Sequence, residues 1–374
     1  MNVLLIFGTR PEAIKLAPVI QELRTRPGTK PVICVTAQHR QMLDQVLALF
    51  KIQPHYDLNI MQANQSLIDI TEQGLSSIET VLRDEKPDFV LVQGDTTSAF
   101  VGALASFYHQ IPVGHVEAGL RSHKKYSPFP EEMNRVLIDH LADLCFVPTE
   151  KARQNLLSER VAKEGIFVTG NTVIDALLWA VQHLPSSIPS ELEALSSRSV
   201  KSPNHRLILV TGHRRESFGD GLENICGALC EIVKRNSDVE IVYPVHPNPN
   251  VREPVFRILG NVPRIHLTEP LGYLAFVQLM RLAYLILTDS GGIQEEAPAL
   301  GKPVLVLRNV TERPEAIEAG TARLVGTNVA AIVDAAQQLL DDRHEYTRMA
   351  KPASPYGDGK AAERIVDILL GSTG

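Results

Sequence analysis

Residues Leu285–Leu307 read LILTDSGGIQEEAPALGKPVLVL, and this stretch decides the fold. It opens on an apolar β-type run, Leu285-Ile286-Leu287-Thr288, and closes on another, Pro303-Val304-Leu305-Val306-Leu307. Between them, Asp289-Ser290-Gly291-Gly292 lead into a helical pattern that runs to Leu300, with Gly301 as its stop. Strand, helix, strand makes a βαβ unit with a right-handed crossover and a parallel sheet. The glycine pair falls where the first strand turns into the helix. Glycine lets backbone N–H groups approach a ligand closely, and a helix N-terminus favours negative charge. The expectation is a phosphate seat, as against an ordinary tight turn. Glu295 and Glu296, just behind it, suit a second task such as holding ribose hydroxyls.

Outward from this unit the same alternation recurs. Strands are expected at Asn2–Phe7, Pro31–Thr36, Asp88–Val92, Pro112–Val116, Leu144–Val147 and Ile166–Thr169. A second series follows at Leu207–Val210, Glu240–Tyr243 and Ile265–Leu267, ahead of the opening unit. Helical patterns separate most of these runs. Pro11 fits the first turn of a helix carrying Ile14, Ala17, Ile20 and Leu23, which Pro18 should kink or open locally. Strands alternating with helices mean a doubly wound α/β architecture with helices on both sheet faces. The helix Asn171–Leu184 runs into the Ser- and Pro-rich segment 185–204, so a domain boundary is set near Gly170. The last helix, Ala361–Leu370, is expected to cross back to the first domain.

The chain of 374 residues is long enough for two domains. Its net charge of −6 offers no basic footprint, so a nucleic-acid partner is not expected. No apolar run is long enough to span a membrane. The N-terminus reads as a first strand and not as a leader. Cys34, Cys145, Cys226 and Cys230 show no zinc spacing, and buried thiols in a reducing cytoplasm are expected.

Candidate chemistry gathers where strands end. Asp95 follows one apolar strand in Gly94-Asp95-Thr96-Thr97, and Glu117 follows the next. The segment Leu120–Glu132 (LRSHKKYSPFPEE) has no periodicity and lies beyond a strand's carboxyl end, where ligands bind in open α/β sheets. Glu131 stands at its far side, at the start of a helix that also carries Arg135. Three carboxylates brought together beside an anionic substrate would repel one another and leave one as a proton donor. Taken singly, Asp95 could be a helix N-cap, Glu117 a surface carboxylate and Glu131 a first-turn helix acid. His213, beside Arg214 and Arg215, reads as an anion ligand; His246 stays unassigned. One internal echo joins the halves: Arg10-Pro11-Glu12-Ala13-Ile14 recurs as Arg313-Pro314-Glu315-Ala316-Ile317. It points to two arginines, one per domain, converging on one anion across a cleft, since arginine's planar fork suits diphosphate oxygens. No metal-ligand spacing is present, and Gly291-Gly292 lacks the third glycine of a dinucleotide fingerprint.

Five motifs together carry a resemblance. They are Phe7-Gly8-Thr9-Arg10-Pro11-Glu12-Ala13-Ile14-Lys15, Gly94-Asp95-Thr96-Thr97, His115-Val116-Glu117-Ala118-Gly119-Leu120-Arg121, Thr211-Gly212-His213-Arg214-Arg215-Glu216 and Thr288-Asp289-Ser290-Gly291-Gly292-Ile293-Gln294-Glu295-Glu296. Nearly end to end, the chain resembles the non-hydrolysing UDP-N-acetylglucosamine 2-epimerases. The resemblance implies two Rossmann-like domains facing a cleft, in the glycosyltransferase-B-type architecture. They would be 1–170, joined by the C-terminal helix 361–374, and a UDP-binding 171–360. It implies a cytoplasmic homodimer that interconverts UDP-N-acetylglucosamine and UDP-N-acetylmannosamine for bacterial surface polysaccharides, with no metal and no nicotinamide.

By the same resemblance, Arg10, Lys15, His213, Ser290, Gly291, Gly292, Glu296 and Arg313 correspond to the UDP-binding set, with Phe276 beside uracil. Asp95, Glu117 and Glu131 correspond to the acid/base carboxylates, with His213 close to the diphosphate. Asp95, Glu117 and Arg135 are also expected to touch substrate. Gln38, His39 and Gln41 correspond to a motif near which some members bind a second UDP-N-acetylglucosamine as activator. Leu271, Gln93 and Asn64 depart from relatives that often carry glutamine, histidine and arginine there; a contact at 271 through backbone would survive the change. A hydrolysing epimerase, a retaining glycosyltransferase on the same fold and a non-catalytic nucleotide-sugar sensor remain as alternatives. A transferase would need an acceptor cleft, and a sensor could dispense with Asp95, Glu117 and Glu131.

Overall fold

The computed structural model describes residues 1–36, 40–60, 65–185 and 205–371. The chain divides into two units, Met1–Leu178 with Tyr356–Gly374, and Trp179–Pro355.

Unit 1 is built on a seven-stranded sheet. In chain order its strands are β1 (Asn2–Phe7), β2 (Lys30–Val35), β3 (Tyr56–Asp57), β4 (Phe89–Gln93), β5 (Val113–Val116), β6 (Leu144–Val147) and β7 (Ile166–Val168). They lie in the order β3-β2-β1-β4-β5-β6-β7. Every pairing is parallel, with Leu4 opposite both Val32 and Val90. A parallel strand covered on both faces has no solvent side, which is why Val3-Leu4-Leu5-Ile6-Phe7 is apolar at every position and fully buried. The helix Arg10–Thr25 follows β1 and runs through Pro18 as one element. Ala361–Gly371 belongs to this unit and packs against Arg10–Thr25, and its Ile365, Val366 and Leu369 are buried. The Asp175 carboxylate caps it, accepting from the Ala361 and Ala362 amides at 3.3 and 2.8 Å.

Unit 2 repeats the plan with six strands. They are β8 (Arg206–Thr211), β9 (Val239–Pro244), β10 (Ile265–Thr268), β11 (Leu285–Thr288), β12 (Val304–Val306) and β13 (Ala322–Leu324). The order is β10-β9-β8-β11-β12-β13, again all parallel, with Ile208 opposite Leu285 and Thr211 opposite Thr288. Its core is a continuous cluster in which Ile225, Leu229 and Ile232 of the helix Asp220–Arg235 meet Ile208, Val210 and Ile241 of the sheet.

Both units are thus doubly wound and Rossmann-like. In each, the strand order reverses at one point, between β1 and β4 in unit 1 and between β8 and β11 in unit 2. Loops leaving the carboxyl ends of strands at such a point form the crevice in which this architecture binds ligands. Those loops begin at Gly8-Thr9 and Gly94-Asp95 in unit 1, and at Gly212-His213 and Asp289-Ser290 in unit 2. Among the described residues, no helix is long and apolar enough to cross a membrane.

Candidate functional site

The unit 1 constellation starts from a short turn after β5. Glu117 has φ +69°, in the left-handed region that non-glycine residues seldom enter. The amides of Glu117 and Ala118 both donate to the Phe146 carbonyl, at 3.0 and 3.1 Å, which holds the turn against β6. Gly119 completes it at φ +80°, where a side chain would run into the Ala152 carbonyl. The result is a carboxylate buried at the strand end, not the surface loop acid it could have been. Lys15, on the second turn of Arg10–Thr25, forms a buried ion pair with Glu117 Oε2, and Asn171 Nδ2 donates to the same oxygen at 2.8 Å.

Asp95 lies one strand away, after β4. The N-cap of the following helix, Thr97–Tyr108, is Thr96, whose hydroxyl accepts from the Ala99 amide at 3.1 Å. Asp95 is therefore not the cap. Its carboxylate pairs with Arg135, and its backbone carbonyl accepts from Asn134 Nδ2 at 2.9 Å. Arg135 in turn reaches Glu132 at 2.9 Å, and Glu132 accepts from the Ser122 and His123 amides at 2.9 Å each. One helix, Glu131–Leu141, so fastens both Asp95 and the irregular loop before it. Glu131 is its first residue, and among the described residues the buried Oε2 of Glu131 has no hydrogen-bond partner. An orphaned buried carboxyl oxygen calls for a reason. Arg10, at the head of its own helix, is half-buried.

Glu12 ties the switch point together. Its carboxyl accepts from the Gly8 and Thr9 amides at 3.1 and 2.8 Å and from the Thr96 hydroxyl at 2.7 Å, joining the ends of β1 and β4. Burial drives this carboxyl up to about 7, outweighing those hydrogen bonds.

Unit 2 holds the second group. The helix Gly291–Ala299 begins directly after β11 with Ser290 as N-cap residue. The Arg313 guanidinium lies flat against Gly291: a β-carbon there would stand 2.6 Å from Arg313 Cζ. Arg313 pairs with Glu295 and Glu312, both buried, and Glu312 is shared with Arg308 at 2.9 Å. Glu295 is therefore not a carboxylate turned to a ligand; it anchors Arg313 over the helix start. Glu296 accepts from the Tyr273 hydroxyl at 3.0 Å. Leu271 is buried, and Phe276 is half-buried on the helix Tyr273–Leu282.

His213 follows β8. Asp289 Oδ2, after β11, accepts from the amides of His213 and Arg214 at 2.7 and 2.8 Å, so one carboxylate joins the two strand ends at the switch point. The His213 ring stacks on His246, with centroids 5.4 Å apart and planes 16° apart. Burial, with Arg214 and Arg308 nearby, holds His213 below the ordinary imidazole range despite the opposing pull of Asp289. A neutral His213 at neutral pH would present a hydrogen-bond donor, while the arginines carry the charge.

Within unit 1 the structure pairs Lys15 with Glu117, and Asp95 with Arg135 of the helix that Glu131 opens; within unit 2 it pairs His213 with Asp289 and sets Arg313 against Gly291, with Ser290 and Glu296 on the same helix start and helix. Gly292 is in the same helix start, with room beside it. Gln38 and His39 lie outside the described residues, as does the side chain of Gln41. Asn171, Asp289, Glu312 and Tyr273 are additions to the expected set. Asn171 had a legible signal, as a cap-type residue after a strand; its Oδ1 accepts from the Val173 amide at 3.1 Å.

A family model described as UDP-N-acetylglucosamine 2-epimerase matches residues 21–370. The chain is 58% identical over 369 residues to the UDP-N-acetylglucosamine 2-epimerase of Escherichia coli (strain K12), covering 99% of this chain and 98% of that protein. The structure is similar to that of the UDP-GlcNAc 2-epimerase from Neisseria meningitidis bound to UDP-GlcNAc, with a TM-score of 0.94 and 50% identity over 99% of this chain and 100% of that one. It is also similar to the Methanocaldococcus jannaschii UDP-GlcNAc 2-epimerase in complex with UDP-GlcNAc and UDP, with a TM-score of 0.87 and 37% identity over 99% and 100% of the two chains.

Proposed function

The chain belongs to the UDP-N-acetylglucosamine 2-epimerase family, and from that premise we propose that it interconverts UDP-N-acetylglucosamine and UDP-N-acetylmannosamine without hydrolysis. The sugar C2–H has no neighbouring carbonyl and is not acidic. A side-chain carboxylate cannot take it to a free carbanion, so the proton must leave as another bond breaks. The bond that breaks is C1–O. UDP departs with its electron pair, a carboxylate takes the C2 proton, and 2-acetamidoglucal results. Protonation of C2 on the other face and re-addition of UDP at C1 complete the epimerisation.

The residues fit this division of labour. Negative charge grows on the departing phosphate oxygen, and Arg10, Lys15, His213, Arg313 and the helix start at Ser290-Gly291-Gly292 are the groups that would stabilise it. Glu296 would hold the ribose. Phe276 and the Leu271 backbone would hold the uracil end. Asp95, Glu117 and Glu131 would handle the C2 proton, and Arg135 keeps Asp95 in place. The observation that carries the reading is the orphaned Glu131 Oε2 beside the helix turn that fastens Asp95. A group that gains its partner only with substrate bound is what a proton carrier requires.

We place the enzyme in the cytoplasm as a homodimer, feeding surface polysaccharide synthesis. The dimer is supported by Ile68, Phe107, Tyr108 and Leu137, apolar and exposed on three helices that pack as neighbours. Proton NMR of the purified protein with UDP-N-acetylglucosamine alone tests the reaction. UDP-N-acetylmannosamine is expected. Free N-acetylmannosamine with stoichiometric UDP would mean a hydrolysing epimerase. No change until an acceptor is added would mean a transferase.

A further inference from the structure

One buried pair outside the expected site touches both turns that carry candidate acid/base groups. His115 lies in β5 and Asp139 on the helix Glu131–Leu141, and neither side chain is exposed to solvent. His115 Nε2 is 2.7 Å from the carbonyl of Gly94, the residue directly before Asp95. His115 Nδ1 is 2.6 Å from Asp139 Oδ1. The other oxygen, Asp139 Oδ2, accepts from the Gly119 amide at 3.2 Å and pairs with Arg121 at 2.7 Å. Gly119 closes the left-handed turn that begins at Glu117. Arg121 is held in place by Glu159, at 2.9 and 2.7 Å, and donates to the Leu120 carbonyl at 2.8 Å.

The hydrogen-bond roles follow from the atoms. A carbonyl oxygen only accepts, so His115 Nε2 carries a proton and donates it to Gly94. A second proton lies between His115 Nδ1 and Asp139 Oδ1. Asp139 thereby links the ring to the 117–119 turn, and its charge faces Arg121 and His115. A chain of bonds runs from the Gly94 carbonyl through the ring and carboxylate to the Gly119 amide. Both side chains are fully buried and their hydrogen-bond and ion-pair partners are protein groups; packing alone would be served as well by apolar side chains, at lower desolvation cost.

We propose that His115 and Asp139 are positioning residues for the epimerisation: together they fix the backbone before Asp95 and the turn bearing Glu117 in one mutual geometry. The proposal rests on the epimerase reading above. Proton transfer is sensitive to placement, and a shift of about 1 Å can cost around 100-fold in rate. None of the pair's hydrogen-bond or ion-pair partners is one of the candidate UDP-binding groups.

Isosteric variants separate the two arms. In His115→Gln the amide reaches the Nε2 position and keeps the Gly94 bond; in His115→Asn it reaches the Nδ1 position and keeps the Asp139 bond. Asp139→Asn weakens the second arm from the other side. Each variant is expected to lower kcat by ~10- to 100-fold with KM and UDP affinity within about twofold of wild type, and His115→Ala is expected to exceed both single-arm variants. In wild-type protein, a nitrogen-15 histidine spectrum should show exchange-protected protons on both His115 ring nitrogens, and Asp139→Asn should lose the low-field one at Nδ1. Folded variants with wild-type kcat, or equal losses in kcat and UDP affinity, would overturn the proposal. So would unprotected ring protons in the wild type, which can be read even if a variant fails to fold. A wild-type protein without epimerase activity but with both protected protons would instead sink the epimerase reading and leave the bonding pattern standing.

Discussion

Replacing Gly291 by alanine sets two effects against each other, and the structure decides which wins. Gly291 opens the helix Gly291–Ala299, and its φ is not in the left-handed region, so alanine is conformationally allowed. Helix propensity alone would then favour alanine by up to about 1 kcal/mol. The new β-carbon, however, would stand 2.6 Å from Arg313 Cζ and 3.2 Å from Nε. Ordinary carbon contacts lie near 3.5–4 Å, so the guanidinium must retreat by about 1 Å. Arg313 cannot retreat freely, because its Nε and Nη1 are held by the buried Glu295 and Glu312. Loosening two buried charge-assisted bonds costs on the order of 2–3 kcal/mol. The net expectation for Gly291→Ala is a loss of about 1–2 kcal/mol, or roughly 2–8 °C in Tm. Arg313 would also leave its place at the helix start, and UDP affinity should fall roughly 10- to 100-fold. Thermal melts and titration calorimetry with UDP read both quantities. A variant as stable as wild type with unchanged UDP affinity would refute the reasoning.

Other consequences follow from the same geometry. Glu117→Gln keeps the shape of the turn but removes the proton acceptor, so epimerisation should slow by roughly two to four orders of magnitude while UDP affinity stays put; normal turnover would acquit Glu117. Glu12, held up to about 7 by burial, binds a proton more tightly folded than unfolded. Its contribution is therefore present at low pH and lost as pH rises through about 7, and Glu12→Gln should flatten that decline in denaturant titrations. His213 has the opposite sign. With its folded value lowered, the unfolded chain takes up the proton first, so stability falls as pH drops below about 6.5, and His213→Asn should remove that slope.

Much of the fold was legible because parallel strands buried on both faces leave unbroken apolar runs. β1, β6 and β11 have the bounds that their sequences suggest. β3 and β13 are two and three residues long and carry no such run, so only pairing with a neighbour defines them. The helix Val329–Asp341 has Ile332, Val333, Ala336 and Leu339 at helical spacing, a readable signal that stands outside the expected elements. At the site, strand ends located Asp95, Glu117, His213 and Gly291, since topology alone sends such positions to one edge. What local pattern could not supply was long-range pairing. Glu295 looked as available as Glu296 until Arg313, distant in sequence, was seen against it. The cap alternative for Asp95 stayed open until Thr96 took that role and Arg135 took the carboxylate.

The central claim is that the C2 proton leaves to a side chain while the C1–O bond breaks. Epimerisation in deuterated water tests it most directly. On this account the carboxylate exchanges its proton with solvent, so UDP-N-acetylmannosamine forms with deuterium at C2, and UDP and 2-acetamidoglucal accumulate slightly on long incubation. Product that keeps the original hydrogen at C2 would contradict the account and point to internal hydride transfer.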